Sequence, residues 1–268
     1  MGFQVPSCED LQSEDFVGNA SHRDCLPMPI EGDLEMTSDV GVMLPTYCEA
    51  QNIERLIDEI ERLNLNASIL VIDDSSPDNT SDVVRNCQQR YDNVLLLVRP
   101  GKRGLGTAIT DGFRAFLSLK TPPKYIVTMD ADYSHSPREI PKLIAPVKSG
   151  CHLVIGSRYY QSGNARDWSV IRLTVSKIAN LLTRLRVNAR ISDYTSGMRC
   201  YSTELVRRII NQLHSRTYEI QIETIRQANL LGSKMTEVPI TFVNRKKGKS
   251  KLTINEIRDF LFYILSFN

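Results

Sequence analysis

Short apolar runs alternate with longer amphipathic segments through the first part of the chain. Five runs of four or five residues are rich in valine, isoleucine and leucine and are bounded by turn residues, as buried strands are. They cover residues 40–44, 68–72, 94–98, 125–129 and 152–155. Between them, for example over 53–63 and 107–119, apolar residues recur three or four positions apart, which is the period of an amphipathic helix. The alternation predicts an α/β fold with a mostly parallel sheet and helices on both faces.

Beyond about residue 160 the pattern becomes mainly helical. Helical periodicity is found over residues 168–190, 204–213, 219–231 and 254–267. A further strand is predicted over 237–243. Pro239 has no N–H to give to a strand ladder, so this strand is expected at an edge of the sheet or to begin at the proline. The second part of the chain is therefore expected to add a helical subregion to the sheet.

The charge of the chain is unevenly distributed. The 268 residues are 41% hydrophobic and 24% charged, an ordinary globular composition, with a net charge of +2. Residues 1–40 hold nine acidic residues and one arginine, a charge of −8, which leaves +10 for the remainder. The leader, residues 1–39, is predicted to be weakly ordered because it has few apolar residues and no sustained period. The basic body favours an anionic partner, such as a nucleotide, a lipid phosphate, an acidic membrane face or a nucleic acid.

The cysteines and the apolar runs bear on where the protein works. Six scattered cysteines, without a CxxC pair or a histidine cluster, predict neither a zinc site nor a disulfide framework and fit a reducing cytosol. The N-terminus lacks the basic start and apolar core of a signal peptide. No run approaches the ~18 apolar residues that a membrane-spanning helix needs. We therefore expect a cytoplasmic protein whose membrane contact is peripheral.

Carboxylates follow three of the five predicted strands. Glu49 comes after the first strand, Asp73 and Asp74 after the second, and Asp130 and Asp132 after the fourth. The carboxyl ends of parallel strands share one edge of a sheet, so these side chains are expected to converge there. Hard oxygen donors suit Mg²⁺ or Mn²⁺ held together with the phosphates of a substrate. One such pair alone could simply end a strand and begin a turn, but three on one edge favour a functional site.

A nucleotide at this edge would need a partner for its base and cations for its phosphates. Tyr47 could stack on a base, and Asp74 could accept hydrogen bonds from the amino groups of that base. Arg158 follows the fifth strand, and a basic run over residues 245–251 follows the last. The glycine and serine within this run suggest a mobile loop that could close over a ligand. The run could instead be a solvated cluster or a nucleic-acid patch, although no aromatic residues are interleaved with it.

Seven blocks of the chain form an ordered pattern within about residues 40–252. They are PTYCE at 45–49, IDDSSPDNT at 72–80, GLGTA at 104–108, MDADYSHSP at 129–137, GSRY at 156–159, SDYTSGMR at 192–199 and FVNRKKGKSKL at 242–252. Together they resemble family 2-type glycosyltransferases of the GT-A fold, and most closely the polyprenyl- or dolichyl-phosphate mannosyltransferases. Two positions depart from the family pattern: Cys48 stands where asparagine is usual, and Tyr133 where leucine is common.

The resemblance implies a fold and a reaction. It implies a GT-A domain over residues 40–252, with a Rossmann-like, mostly parallel sheet and a C-terminal helical subregion on the acceptor side. Beyond this domain, the helical period of the residues themselves predicts a closing amphipathic helix over 253–268. It implies an inverting enzyme that moves mannose from GDP-mannose to a polyprenyl or dolichyl phosphate with Mg²⁺ or Mn²⁺. A UDP-glucose-dependent polyprenyl-phosphate glucosyltransferase, or another family 2 glycosyltransferase, stays an alternative because Tyr47 and Asp74 could also serve uracil.

The resemblance also implies roles at the donor side. The residues that match the pocket for the guanine nucleotide are Pro45, Tyr47, Glu49, Ile72 and Asp74. Those that match the site for the nucleotide diphosphate and its metal are Asp130, Ala131 and Asp132, with Ser134 as a further metal-proximal residue. Arg245 and Lys251 match a closing loop that grips the donor diphosphate.

On the acceptor side, Arg158 and Arg172 match arginines that hold the lipid phosphate. The block that contains Asp193, Ser196 and Arg199 lies beside the acceptor in the family pattern, although Asp193 could equally pair with an arginine or cap a helix. With Asp132, the two arginines Arg158 and Arg172 are the residues expected to carry catalysis.

The lipid tail of such an acceptor requires contact with a membrane surface. The segments 168–190 and 254–267 mix apolar and polar residues, as interfacial helices do. Membrane-anchoring partner subunits could instead dock on the final helix. No nucleic-acid partner is expected.

Overall fold

The computed structural model describes residues 28–166, 170–244 and 263 of the chain. The strands are β1 (Ile30–Glu31), β2 (Val40–Thr46), β3 (Ala67–Asp73), β4 (Val94–Val98), β5 (Tyr125–Thr128), β6 (Leu153–Ser157), β7 (Asn164–Arg166), β8 (Arg199–Ser202), β9 (Met235–Pro239) and β10 (Thr241–Val243). The helices are α1 (Ile53–Glu61), α2 (Thr80–Gln88), α3 (Leu105–Ser118), α4 (Ile140–Lys148), α5 (Val170–Val187), α6 (Thr203–Ile209) and α7 (Ile220–Leu230). Short 3-10 turns precede α4 and follow α6.

Eight strands form one mixed sheet in the order β1-β4-β3-β2-β5-β8-β6-β9. The central strands β4, β3, β2 and β5 are parallel, whereas β8 runs antiparallel between β5 and β6. A separate two-stranded sheet joins β7 to β10. The order reverses beside β2, because β3 and β4 follow it on one side and β5 lies on the other. Such a reversal opens a crevice at the carboxyl ends of the strands.

Helices cover both faces of the sheet, and each face has its own apolar cluster. The buried residues of α1 are spaced three or four positions apart and are Ile53, Leu56, Ile57 and Ile60. They pack with Val42 and Leu44 of β2, whereas Met43 between these two faces the other cluster, under α3. Helix α3 lies close to the sheet because residue 112 is a glycine: a Cβ there would lie 2.1 Å from the sulfur of Met43. The predicted α/β layering is confirmed.

Three strands were not predicted: β1, β8 and the short strand β7. Ile30 and Glu31, within the leader predicted to be weakly ordered, pair with Leu97 and Leu96 of β4. Strand β8 has a polar residue at each end and too few apolar positions to show a period. Strand β8 is instead held in the sheet by pairing with β5 and β6, where Cys200 lies opposite a valine of each strand.

The strand predicted over 237–243 is divided in two. Strand β9 ends at Pro239 and lies at the edge of the large sheet, as the proline predicts. The chain then turns, and β10 pairs in parallel with β7. The small sheet stays attached to β6, because the N–H of Ile240 donates to the carbonyl of Ser157 at 3.1 Å.

The described cysteines differ in their bonding. Cys87, Cys151 and Cys200 are free, whereas Cys48 is disulfide-bonded, which the scattered cysteine pattern did not predict. Among the described helices, none combines the length and apolarity needed to cross a bilayer.

Candidate active site

A cleft lies at the carboxyl edge of the sheet, where the order of the strands reverses. Seven residues proposed from the sequence line it together: Pro45, Tyr47, Glu49, Asp74, Asp130, Ala131 and Asp132. Six others complete the lining and were not proposed: Thr46, Lys102, Gly104, Leu105, Ala108 and Tyr218. The structure does not bring Ile72 to the cleft, since its side chain is wholly buried in the core below α3.

The loop after β2 forms one wall of the cleft. Glu49 is buried there and accepts a hydrogen bond from the Asn52 side chain at 2.8 Å, while its backbone N–H donates to the Thr80 hydroxyl at 3.0 Å. The ammonium group of the exposed Lys102 lies 5.0 Å from the centre of the Tyr47 ring, a cation–π contact. The face of Tyr47 therefore already attracts a cation from the loop after β4.

The two carboxylates after β3 have different surroundings. Asp73 is buried and accepts from the hydroxyl groups of Thr46, Ser76 and Ser81, so it fixes the turn before α2. Asp74 lines the cleft and receives two hydrogen bonds from the guanidinium of Arg99, at 2.6 and 3.0 Å. Asp73 is thus a structural residue, and only Asp74 is presented to a ligand.

Arg99 is a wholly buried residue that the sequence reasoning missed. Besides Asp74, its guanidinium donates to the Thr107 hydroxyl at 2.8 Å and to Asp111 at 3.1 Å, both on α3, and to the Gly104 carbonyl at 3.4 Å. All five of its N–H donors are thereby used. Arg99 directly follows an apolar strand, at the edge where the carboxylates converge, and this position could have indicated that it belongs to the site.

The segment after β5 carries the two aspartates of the DxD pattern. Asp132 is buried and accepts hydrogen bonds from the backbone N–H and the hydroxyl of Ser134, at 2.9 and 2.5 Å. Asp130 keeps 37% of its side chain exposed, and its Oδ2 lies 3.6 Å from Nδ1 of the buried His135. Burial lowers the pKa of His135, although Asp130 and Asp132 act in the other direction, so the imidazole is neutral near pH 7.

The small sheet is tied to this segment. The N–H of Val243 donates to the carbonyl of Ser134 at 3.0 Å, and Phe242 pairs with His135 both through the backbone and ring against ring. The basic run predicted to close over the donor begins two residues after Val243 in the sequence. Its proposed ligands Arg245 and Lys251 lie outside the described residues.

Arg158, after β6, is paired with a carboxylate. Its Nε and Nη2 donate to the buried Asp193 at 2.8 and 2.7 Å, and Nη2 also donates to the Thr195 hydroxyl. Burial raises the pKa of Asp193, but the Arg158 guanidinium outweighs it and holds that pKa below its usual value. The backbone N–H groups of Ser192 and Asp193 donate in turn to Glu237 on β9. Asp193 is therefore the arginine-pairing residue that the sequence left open.

Other predicted acceptor residues are described only in part. Arg172 belongs to α5, but its side chain lies outside the described ones. Arg199 is wholly buried and donates to backbone carbonyls of Tyr194, Ser196 and Gln221. These hydrogen bonds stabilise the backbone of the segment 192–199.

Asp130 and Asp132 line the cleft with oxygen atoms suited to a metal ion. Within the residues that the structure describes, no three histidine, cysteine or acidic side chains form a complete site for an ion. Asp130 and Asp132 nevertheless present oxygen atoms to one cleft, and Mg²⁺ is commonly held by one or two carboxylates together with substrate phosphates. The two ring nitrogens of His135 beside them are buried without hydrogen-bond partners. These residues fit a divalent cation that a phosphorylated ligand helps to bind.

The doubly wound sheet and its acidic cleft define the GT-A class of fold. The model of the family described as "Glycosyl transferase family 2" matches residues 41–210, and the chain belongs to this family. Among curated proteins, the chain is 36% identical to a polyprenol monophosphomannose synthase of Mycolicibacterium smegmatis, over 83% of this chain and 84% of that protein. It is 34% identical to an undecaprenyl-phosphate mannosyltransferase of Micrococcus luteus, over 80% of this chain and 87% of the relative.

Solved structures agree on the fold. Glucosyl-3-phosphoglycerate synthase of Mycobacterium tuberculosis in complex with phosphoglyceric acid superposes with a TM-score of 0.64 at 21% identity, covering 87% of this chain and 81% of that chain. The same enzyme with Mn²⁺, uridine diphosphate and phosphoglyceric acid gives a TM-score of 0.63 at 20% identity, covering 88% and 81%. The identity is low, so these structures bear on the fold alone.

Proposed function

We propose that this protein is an inverting transferase that moves mannose from GDP-mannose to a polyprenyl phosphate, with Mg²⁺ or Mn²⁺ as cofactor. The observation that carries the proposal is the convergence of Tyr47, Asp74 and the Asp130–Asp132 pair in one cleft of a family 2 chain. Both curated relatives are named for mannose transfer, and both names specify a polyprenol or its phosphate.

The chain's own groups account for the reaction through position and charge. The acceptor phosphate is already an anion near neutral pH, so no strong general base is needed. One of its oxygens forms a bond to C1 of mannose while the bond from C1 to the GDP oxygen breaks, which inverts the configuration at C1. Arg158 would hold this phosphate together with Arg172, and its pairing with Asp193 fixes the plane of its guanidinium beforehand.

The departing nucleotide carries negative charge that must be stabilised in addition to that of the acceptor phosphate. Asp130 and Asp132 would hold the cation, which when bound neutralises negative charge on the leaving GDP. Arg245 and Lys251 would add positive charge from the run that follows β10. Pro45, Glu49 and Ala131 would shape the nucleotide side of the cleft, and Ser134, which donates to Asp132, would orient that carboxylate.

The acceptor's lipid tail places part of the protein at a membrane. Among the described side chains of α5, four large apolar ones are exposed: Ile178, Leu181, Leu182 and Leu185. Exposed basic residues on the same helix, Lys177, Arg184 and Arg186, suit an acidic lipid surface. Tyr263, the described residue of the final segment, is helical and packs against the core. We therefore propose α5 as the contact with the cytoplasmic face of a membrane.

Mannose transfer to a short polyprenyl phosphate tests the function. We expect product from GDP-mannose with Mg²⁺ or Mn²⁺, none after EDTA, and little from UDP-glucose. Asp132→Ala should reduce transfer by about 100-fold or more, because it removes a charged group from the diphosphate site. Asp82→Ala is the matched control, since Asp82 is an exposed residue of α2. Near-normal turnover by a folded Asp132→Ala protein would contradict the assignment, and product from UDP-glucose alone would favour the sibling glucosyltransferase.

A further inference from the structure

His135 is buried at the edge of the cleft without a hydrogen bond at either ring nitrogen. It is 1% exposed, and Nδ1 and Nε2 both lack partners. A buried polar group without a partner costs free energy, so such a group in a folded protein calls for a ligand or a changed geometry that satisfies it. The neighbour of Nδ1 is Oδ2 of Asp130 at 3.6 Å, just beyond hydrogen-bonding distance.

A second neighbour of the Asp130 carboxylate is Gly197, which has no side chain. A Cβ on Gly197 would lie 3.0 and 3.2 Å from the two carboxylate oxygens of Asp130, so the absence of a side chain at residue 197 makes room for this carboxylate. Asp130 is more than a third exposed, whereas His135 is almost completely buried. The imidazole therefore lies on the protein side of the carboxylate, not on the side from which a ligand approaches.

The imidazole itself is held in place. Phe242 of β10 packs against it edge to face, with ring centres 5.1 Å apart and planes at 84°. The same phenyl ring lies 5.5 Å from the guanidinium carbon of Arg158. The ring of His135 is thus fixed by an element outside the DxD segment, and a fixed ring can orient a neighbouring group.

We propose that His135 and Gly197 form a positioning pair for Asp130. When a nucleotide diphosphate and a divalent cation occupy the cleft, the carboxylate closes the present gap and accepts the Nδ1–H of His135, while Gly197 leaves its other side unobstructed. His135 is a positioning residue and not a ligand of the cation. Partners that hydrogen-bond to metal-binding carboxylates commonly change metal affinity by 10–100-fold. The inference rests on the proposed function, because it takes Asp130 as part of the cation site.

Mn²⁺ affinity in the presence of saturating GDP tests the inference, with free Mn²⁺ measured by electron paramagnetic resonance. We expect His135→Ala to weaken Mn²⁺ binding by about 10–100-fold, because no N–H then faces Asp130. His135→Asn should stay close to the unsubstituted protein, since the Asn amide can place its N–H where Nδ1 lies. Gly197→Ala should weaken binding as well, whereas Gly101→Ala, with open space around its Cβ, should not. Thermal unfolding in the absence of Mn²⁺ verifies that each variant is folded.

The outcomes separate this inference from the proposed function. Unchanged Mn²⁺ affinity in folded His135→Ala, or an equal loss in His135→Asn and His135→Ala, would overturn the positioning role. Asp132→Ala is measured beside them. If Asp132→Ala abolishes Mn²⁺ binding while His135→Ala leaves it intact, the cation site stands and only the role of His135 fails. If Asp132→Ala binds Mn²⁺ normally, the cation site of the proposed function fails, and the inference fails with it.

Discussion

At the scale of single residues, the pair formed by Arg158 and Asp193 combines charge with nearly complete burial. Both side chains are at most 6% exposed, and two N–H groups of the arginine meet the two oxygens of the aspartate. Breaking a buried pair by removing one partner leaves an uncompensated charge and costs about 3–5 kcal/mol. Removal of either partner alone is therefore expected to destabilise the fold as well as to affect the proposed binding of the acceptor phosphate.

Asp193→Asn is predicted to lower the free energy of unfolding at pH 7 by about 3–5 kcal/mol. The pKa of Asp193 lies below its usual value in the folded protein, because the effect of Arg158 exceeds that of burial. A carboxyl group of this kind adds stability above its unfolded pKa of about 3.9 and loses it as the pH falls through the folded pKa. The difference between the two proteins should thus persist from pH 8 to pH 5 and shrink only below about pH 4.

Urea unfolding at several pH values measures this difference. Asp82→Asn is the control, because Asp82 is 67% exposed and its ion pair with Arg85 is a surface pair worth about 0–1 kcal/mol. A difference for Asp193→Asn that is no larger than the control's, or that disappears between pH 8 and pH 5, would contradict the prediction.

Single residues also show how far the sequence predicts the site. Asp74, Asp130 and Asp132 were found because strand ends of a parallel sheet share one edge, and the structure brings them to one cleft. The buried network of Arg99 was not found, because a lone arginine gives no sign of partners 25 and 12 positions away. The roles given to Arg172, Arg245 and Lys251 stay predictions, since their side chains are not described.

At the scale of elements, the start of α3 packs closely against the loop that precedes α7. The N–H of Gly106 donates to the carbonyl of Arg216 at 2.9 Å, and a Cβ on Gly106 would lie 2.2 Å from the carbonyl oxygen of Ser215. The carboxylate of Glu223 holds the other side of this loop through the N–H groups of His214 and Ser215. The loop is therefore fixed on both sides, and it leads directly to Tyr218 in the cleft.

Gly106→Ala is predicted to destabilise the protein by about 1–3 kcal/mol, because the methyl group overpacks a contact between two backbones. It should also weaken GDP binding, since the loop before Tyr218 must move away from α3. Denaturant unfolding and GDP titration measure the two effects. Gly101→Ala is the control in the same region, because nothing lies within 4 Å of its Cβ. Equal stability and equal GDP affinity of the two variants would contradict the prediction.

The elements differ in how well their sequences predict them. Strands β2, β3, β4 and β5 and helix α1 appear close to their predicted places, because the strands are continuous apolar runs and the apolar residues of α1 recur three or four positions apart. Strand β8 has no such period, and its partners β5 and β6 are distant in sequence. The division of the last predicted strand depends on β7, which offers a second partner that Pro239 alone does not reveal.

At the scale of the whole molecule, the fold class and the family expected from the seven blocks are confirmed by the sheet order and by the family match. The expected transfer of mannose to a polyprenyl phosphate agrees with the names of the curated relatives. The donor nucleotide stays a proposal, because Asp74 and Tyr47 have chemistry that suits more than one base. The preferred metal stays a proposal as well, because carboxylate oxygens suit both Mg²⁺ and Mn²⁺.

The exposed apolar side of α5 leads to a prediction about the molecule at a membrane. The double variant Leu181→Glu/Leu185→Glu should sediment less with acidic phospholipid vesicles, because it replaces apolar contacts with negative charge. Leu230→Glu is the matched control: Leu230 is 66% exposed, similar to 57% for Leu181 and 71% for Leu185, but it lies on α7. Equal sedimentation of the double variant and the control would rule out α5 as the contact.

The strand order of the large sheet has a consequence for how the protein folds. The parallel strands β2 to β5 come from one continuous stretch, residues 40–128, and can associate as soon as that stretch exists. Strand β8 must pair with β5 from about 70 residues further along, and β9 must return to β6 from a similar distance. We therefore expect residues 40–128 to associate early during synthesis, while the sheet is completed by β8 and β9 only after the chain up to Pro239 has emerged from the ribosome.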